Sequence, residues 1–265
     1  MTAIGVKPRF GIAIVNYKTL ELTKIALELL RGHFDSGALD EERVDVWVVD
    51  NDSRDDSTSY LRGLDWINLI ERSSDGEEEG FVAHGKGLDL ILDSIETDYL
   101  FLIHTDTFIY DPSVFDWMLG LCQSGTRVAA VGCLDQLNRG YFRSFWRVFS
   151  RFIKHYSRRL RLFLGLPARE PKPYLESYIK SFCSLWDVGL IKKKGHHFLM
   201  ANRIPGYELQ DLLKKEGYKI KTVSPMRLFK FLDHVEAGTV GLRAGYTDQN
   251  RRTKRKKSIL EKFEV

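Results

Sequence analysis

Cysteine is scarce in this 265-residue chain: Cys122, Cys133 and Cys183 are its thiols, and no two of them fall at Cys-x-x-Cys spacing. Three scattered thiols exclude a disulfide framework or a zinc knuckle and fit a reducing cytoplasm. Long apolar runs are missing too. No window reaches the roughly 20 apolar residues that a spanning helix needs. The N-terminal M-T-A-I-G-V-K-P-R-F has no signal-peptide apolar core. The expected location is therefore cytoplasmic, with any membrane contact peripheral at the inner face. Neither G-x-x-x-x-G-K-[ST] nor a G-x-G-x-x-G after the first predicted strand occurs, which disfavours a P-loop nucleotidase and a dinucleotide oxidoreductase. Internal repeats and low-complexity linkers are also absent.

What the chain does contain is globular: 43% hydrophobic and 29% charged residues, enough to bury a sizeable core. The net charge of +4 is unevenly spread. Residues 71–79 are acidic, whereas 139–161 and 251–257 are strongly basic. Basic patches of this kind suit an anionic partner such as a nucleoside diphosphate, lipid headgroups or nucleic acid.

Strand-like and helix-like stretches alternate through the first half. Phe10–Val15, Val44–Val49, Trp66–Ile70, Tyr99–Ile103 and Arg127–Val131 read as strands. Helical spacing follows Thr19 (Leu20, Leu22, Ile25, Ala26, Leu29, Leu30), Asp55–Asp56, Gly80 and Pro112. Such alternation predicts an α/β fold with a mostly parallel sheet and right-handed crossovers. After residue 135 the pattern changes. A strand is expected over 177–186, a helix over 207–216 and a strand over 218–223, with a basic tail at 251–265. The halves expected are 1–135 and 136–250.

Between Tyr141 and Leu166, Phe142, Phe145, Phe149 and Phe152 recur every three or four positions, and Arg143, Arg147 and Arg151 recur every four on an adjacent face. A basic, aromatic amphipathic helix can lie in a membrane interface. It can equally pack its aromatics on the core.

Polar clusters close three of the predicted strands: Asn16-Tyr17, Asp50-Asn51-Asp52 and His104-Thr105-Asp106. Strand ends of a parallel sheet converge on one crevice. An aromatic ring with amide and carboxylate groups suits a nucleobase and ribose. His104 and Asp106, two positions apart on an extended segment, point the same way and can share a divalent ion on a diphosphate.

These segments resemble family 2 glycosyltransferases with the GT-A fold, over roughly residues 9–240 and nearest to rhamnosyltransferase-like members. G-I-A-I-V-N-Y-K is similar to the family's first strand, V-V-D-N-D-S-R-D-D-S to its V-V-D-N-x-S-x-D-x-S segment, and G-F-V-A-H-G-K-G-L-D to its glycine-aromatic helix start. L-I-H-T-D-T-F-I stands where the family has its Asp-x-Asp metal motif, F-C-S-L-W-D resembles its acceptor-side strand, and L-D-H-V-E-A-G-T its late His-containing loop. The resemblance implies a Rossmann-like sheet and inverting transfer of a hexose or deoxyhexose from a nucleoside diphosphate-sugar to a hydroxyl. Asn16, Tyr17, Asp50, Asn51, Asp52, Gly80, Phe81, His84, Lys86, His104 and Thr105 would line the donor. Asp106, His234 and His104 would hold manganese or magnesium, with the imidazole of His104 favouring manganese.

Inversion needs a carboxylate to accept the acceptor's hydroxyl proton. Glu208 is the first candidate, Asp211 the second and Asp187 the third, while the family's usual acid pair falls on Pro205 and Gly206. Trp186 is the candidate acceptor contact. The implied acceptor is a lipid-linked or surface glycan, with an anionic membrane surface met by 141–166 and 251–257. A modified nucleic-acid base is the competing acceptor, and a donor-binding GT-A protein without turnover is the contrasting class.

Overall fold

The structure is a computed structural model that describes residues 7–74, 78–235 and 261. Its centre is a seven-stranded sheet in the order β3-β2-β1-β4-β7-β6-β8. These strands are β1 (Phe10–Asn16), β2 (Val44–Asp50), β3 (Asn68–Glu71), β4 (Tyr99–Ile103), β6 (Val128–Cys133), β7 (Cys183–Asp187) and β8 (Lys219–Val223). A second, two-stranded sheet pairs β5 (Thr107–Ile109) with β9 (Leu232–His234). The β1–β2, β1–β4, β2–β3 and β6–β8 pairs are parallel; β7 alone runs against its neighbours β4 and β6.

Helices cover both faces. On one side lie α1 (Leu20–Asp35) and α4 (Ser113–Gln123), and on the other α3 (Gly80–Ser94) and α7 (Tyr207–Lys215). The short helices are α2 (Asp56–Arg62), α6 (Val188–Lys193) and α8 (Pro225–Leu228). The strand sequences are buried on both faces because helices cover both, which is why β1, β4 and β6 read as continuous apolar runs rather than alternating ones. Phe10, Phe101 and Phe115 lock the sheet to α4, with ring centroids 4.9–5.3 Å apart. On the opposite face α3 comes close at Gly87, where a Cβ would lie 3.1 Å from a methyl of Val15.

The three thiols are all buried, and burial pushes Cys122 up to about 12 and Cys133 up to about 11, with Cys183 raised as well. No described helix is long and apolar enough to cross a membrane.

The expected strand over 177–186 is shorter than the sequence implies. Residues 177–182 are held in an irregular run, because the buried Gln210 takes both backbone groups of Ile179 and Lys180 N–H donates to Cys133 O. A side-chain amide thus replaces a strand partner. The amphipathic stretch forms α5 (Gly140–Phe163), and no residue of it is buried. Packing of its aromatics on the core, one of the two sequence readings, does not occur. The basic stretch 251–257 lies outside the described residues.

Phe101→Ala removes the ring at the centre of the aromatic triad. It should lower the unfolding free energy by about 3–5 kcal/mol in urea titration while keeping the far-UV spectrum.

Candidate active site

Parallel pairing sets Asn16 opposite Asp50 and Ile14 opposite Ile103, so β1, β2 and β4 end at one edge of the sheet. Loops leaving that edge carry the three polar clusters. Their backbones are joined: Asn51 N–H donates to Asn16 O and Arg72 N–H to Asp50 O, each at 2.9 Å. Lys18, Asp52 and Arg54 adopt left-handed φ values of 51–61° as the chain turns away from β1 and β2.

Beneath these loops sits a closed polar network. Asn16, 0% exposed, spreads its amide N–H groups over Asp50 Oδ1 (2.7 Å), Ser57 Oγ (2.9 Å) and Ser53 Oγ (3.2 Å). Its carbonyl oxygen lies 2.8 Å from Thr23 Oγ1 and 3.0 Å from Thr19 Oγ1. Thr19 in turn lies 3.2 Å from Thr105 Oγ1. The second oxygen of Asp50 accepts from Thr58 Oγ1 at 2.8 Å. Asn16, Asp50 and Thr105, expected to line the nucleotide, therefore face inward. Their hydrogen-bonding capacity goes to fixing the loops.

A second polar chain runs beside this network, from the buried Asn51 through the largely buried Arg72 and Glu78 to the more exposed Lys86. Asn51 Oδ1 accepts from Arg72 at 2.6 Å, Arg72 pairs with Glu78 at 2.5 Å, and Lys86 reaches Glu78 at 2.6 Å. Asp52 accepts from Arg54 and Ser74, and the Arg54 guanidinium holds its carboxyl below the usual range. Tyr17 is half-buried, with the Lys18 ammonium 5.4 Å from its ring centre. Phe81 is half-buried, and Gly80 opens α3 with clear space where a Cβ would stand.

His104, Asp106 and His234 meet at the end of β4. One ligand atom from each lies within 4.8 Å of the other two. The small sheet makes this possible: Thr107 pairs with His234, and Val235 N–H donates to Asp106 O at 3.0 Å. His234 Nδ1 lies 3.0 Å from the Gln136 carbonyl, which can only accept, so Nδ1 carries a proton, and Nε2 lies 3.1 Å from Asp106 Oδ1. His104 Nε2 lies 2.8 Å from Ser181 Oγ, and its Nδ1 is 3.9 Å from the same Asp106 oxygen. Burial, with His84 adding to it, pushes His104 down to about 3, so its imidazole is neutral. Burial likewise takes His84 down to about 4; its ring stands edge-on to His104 at 5.3 Å.

Two imidazole nitrogens and a carboxylate oxygen, one ring oriented by a backbone carbonyl, are a donor set that suits a borderline divalent ion. The residues present fit such an ion.

Segment 178–181 carries the crevice on to α7. Ser181 touches His104, Lys180 donates to Tyr207 OH at 2.6 Å, and the Tyr178 and Tyr207 rings stack at 4.2 Å. Arg203 clasps Glu208 (2.5 Å) and Asp211 (2.8 Å) together, and Tyr178 OH donates to Asp211.

Asp187 and Trp186 are elsewhere. In the antiparallel β4–β7 register Cys183 faces Ile103, whereas Trp186 faces Leu100 and Asp187 faces Tyr99. Asp187 thus stands at the opposite end of β4 from His104, where it caps α6 by accepting from Leu190 N–H. Trp186 is 2% exposed, packed edge-on to Phe198, and donates to Ser184. A ring so enclosed offers no face to a sugar. Both expectations are corrected by strand direction: F-C-S-L-W-D is the segment that resembles the family's acceptor-side strand, but as β7 it runs away from the site and carries its last residues with it.

Sequence reasoning misses Ser181, Arg72, Glu78, Arg203 and the Gln136 carbonyl. Arg72 had a usable signal, since it immediately follows a strand of the parallel set. The other four depend on loop geometry.

No family model matches the chain, and no curated protein matches it in sequence. Solved structures do match in shape. The mannosyltransferase PcManGT from Pyrobaculum calidifontis, in complex with GDP-Man and Mn2+, superposes with a TM-score of 0.56 at 15% identity over 82% of this chain and 55% of that one. Residues 1–349 of S. aureus TarS give 0.50 at 15% identity over 82% and 58%. Glucosyl-3-phosphoglycerate synthase from Mycobacterium tuberculosis, with Mn2+, UDP and phosphoglyceric acid, gives 0.51 at 15% identity over 91% and 80%. The chain has the GT-A fold. It spans only 55% and 58% of the first two of these proteins, and at such identities the likeness is one of fold.

Two outcomes test the frame of the site. Asn16→Ala strips partners from five side chains at once and should cost about 1–3 kcal/mol in urea unfolding. Asp89, on α3, accepts from Phe198 N–H and Leu199 N–H and so holds the 198–206 loop; burial pushes its carboxyl up to about 6. Its value in the folded protein lies above the ordinary 3.8, so its contribution is full below about pH 4 and is lost as pH rises through about 6. Asp89→Asn should flatten the fall in thermal midpoint between about pH 5 and pH 7.

Proposed function

We propose that this protein is an inverting glycosyltransferase that takes a nucleoside diphosphate-sugar as donor, with manganese or magnesium held by His104, Asp106 and His234. The observation that carries this reading is the convergence of those three ligand atoms at the end of β4 in a GT-A sheet. Three named structures of this fold bind a nucleotide, a nucleotide-sugar or Mn2+, as their descriptions state. In this reading residues 1–135 hold the donor and 136–250 the acceptor. Tyr17 and Asn51 meet the base, Asp52 the ribose, and Lys86 and Arg72 supply positive charge toward the diphosphate. A bound divalent ion would neutralise charge on the departing diphosphate. The Gln136 carbonyl fixes the ring of His234 and the Ser181 hydroxyl that of His104.

The proton of the attacking hydroxyl goes to a carboxylate oxygen of Glu208, with Asp211 beside it. Asp187 is no longer a candidate base. The sugar is a hexose or a deoxyhexose such as rhamnose, and the acceptor a lipid-linked or surface glycan at an anionic membrane.

A second reading has one specific observation in its favour. Arg203 grips both Glu208 and Asp211, and a carboxylate so held must leave that ion pair before it can take up a proton. A protein that binds donor without turning it over would keep this clasp permanently closed.

Incubation with a panel of nucleoside diphosphate-sugars and Mn2+ tests the main reading. Wild type should bind and slowly hydrolyse at least one donor, and Asp106→Ala should lose more than about 100-fold of that activity with an unchanged circular dichroism spectrum. A folded wild type that binds no donor overturns it. Donor binding with neither hydrolysis nor transfer favours the second reading.

A further inference from the structure

Helix α5 differs from every other described helix in burying none of its residues. Phe142 is 80% exposed, Phe145 66% and Trp146 59%, and the apolar face continues through Phe152, Ile153 and Phe163. At 1.5 Å per residue this face is about 36 Å long. An apolar patch of that length left in water marks an interaction site rather than ordinary surface.

The helix is amphipathic in an inverted sense. At about 100° per residue, Arg147 and Arg151 lie opposite the aromatic face and are turned to the protein. Arg147 pairs with Asp135 (2.6 Å) and Glu176 (3.3 Å), and Arg151 with Glu176 (2.6 Å). Tyr174 packs against Phe152 and His155 at the helix's inner edge. The aromatic face is therefore held outward by ion pairs on the inner side.

Charge decides the occupant. Residues 140–163 contain seven lysines and arginines and no carboxylate. Two of the seven are neutralised as above. Arg143, Lys154, Arg159 and Arg161 are exposed, border the aromatic face, and form no ion pair among the described residues. A second copy laid on this face would bring cation against cation in either direction. An anionic bilayer satisfies both features at once: rings enter the headgroup–acyl boundary while the long cationic chains reach lipid phosphates.

We propose that α5 lies flat in the interface of an anionic bilayer, with Phe145, Trp146 and Phe149 inserted. The helix also orients the site. Residues 134–139 join β6 to α5, and within them Asp135 holds Arg147 while the Gln136 carbonyl holds His234. The mouth of the crevice is thereby set at the bilayer surface, where an acceptor borne by the membrane reaches it. This last step rests on the transfer reading; the lipid contact does not.

Flotation of the full chain with phosphatidylcholine vesicles, with and without phosphatidylglycerol, tests the inference. Wild type should float with the mixed vesicles, remain in the dense fraction with phosphatidylcholine alone, and be released by high salt. Phe145→Glu with Phe149→Glu should abolish flotation; both sites are exposed, so the fold is retained, as circular dichroism would verify. Brominated lipid should quench wild-type emission more than that of Trp146→Phe. The inference is overturned if wild type does not float, if the double glutamate variant floats equally well (the contact then lying outside α5), or if light scattering shows a dimer that this variant dissolves. Vesicle binding without donor turnover would sink the transfer reading alone, and turnover without vesicle binding would sink the lipid inference alone.

Discussion

The carboxamide of Asn16 is the constraint on which this crevice depends. One buried side chain touches five others drawn from the exits of β1 and β2 and from the starts of α1 and α2. Through Thr19 the network extends to Thr105, and so to the loop that carries Asp106. A neutral amide suits this place because it both donates and accepts; a carboxylate there would meet Asp50 with like charge, and a hydroxyl would be too short to span the strands. Buried polar groups of this sort stabilise only when all are satisfied, and then they specify one arrangement. The left-handed backbone at Lys18, Asp52 and Arg54 is tolerable because the loops are pinned from beneath.

Most of the architecture could be read from periodicity. Strands flanked by helices produced continuous apolar runs at 10–15, 44–49 and 99–103, and each ends in polar residues because the strand ends face the crevice. Clustering was legible for that reason, and so was the meeting of His104, Asp106 and His234, the last placed by family resemblance rather than by spacing. Individual orientation was harder. Asn16 and Asp50 have the chemistry of ligand-binding groups and spend it internally, a distinction that strand ends alone do not carry. Trp186 and Asp187 escaped for another reason: one antiparallel strand inside a parallel set reverses which end of a segment meets the site, and no local pattern in C-S-L-W-D announces that reversal. β5 and β9 are three residues each, below the length at which alternation is visible, yet they join Asp106 to His234.

The two polar clusters are built differently. The loops after β1 and β2 hang on a buried network, whereas Arg203, Glu208, Asp211 and Tyr178 form a cluster at partly exposed positions. Exposed ion pairs exchange readily with water and with ligands, so this cluster can rearrange at little cost while the other cannot.

The buried thiols have a practical consequence. Cys122, Cys133 and Cys183 are enclosed, and their raised proton affinity keeps them as unreactive thiols near neutrality. Maleimide dyes and nitroxide spin labels should therefore pass over the native protein. A single cysteine introduced along α5 or beside the crevice would be the one labelled position among the described residues, which makes this chain suited to depth and distance spectroscopy without prior removal of its own sulfur.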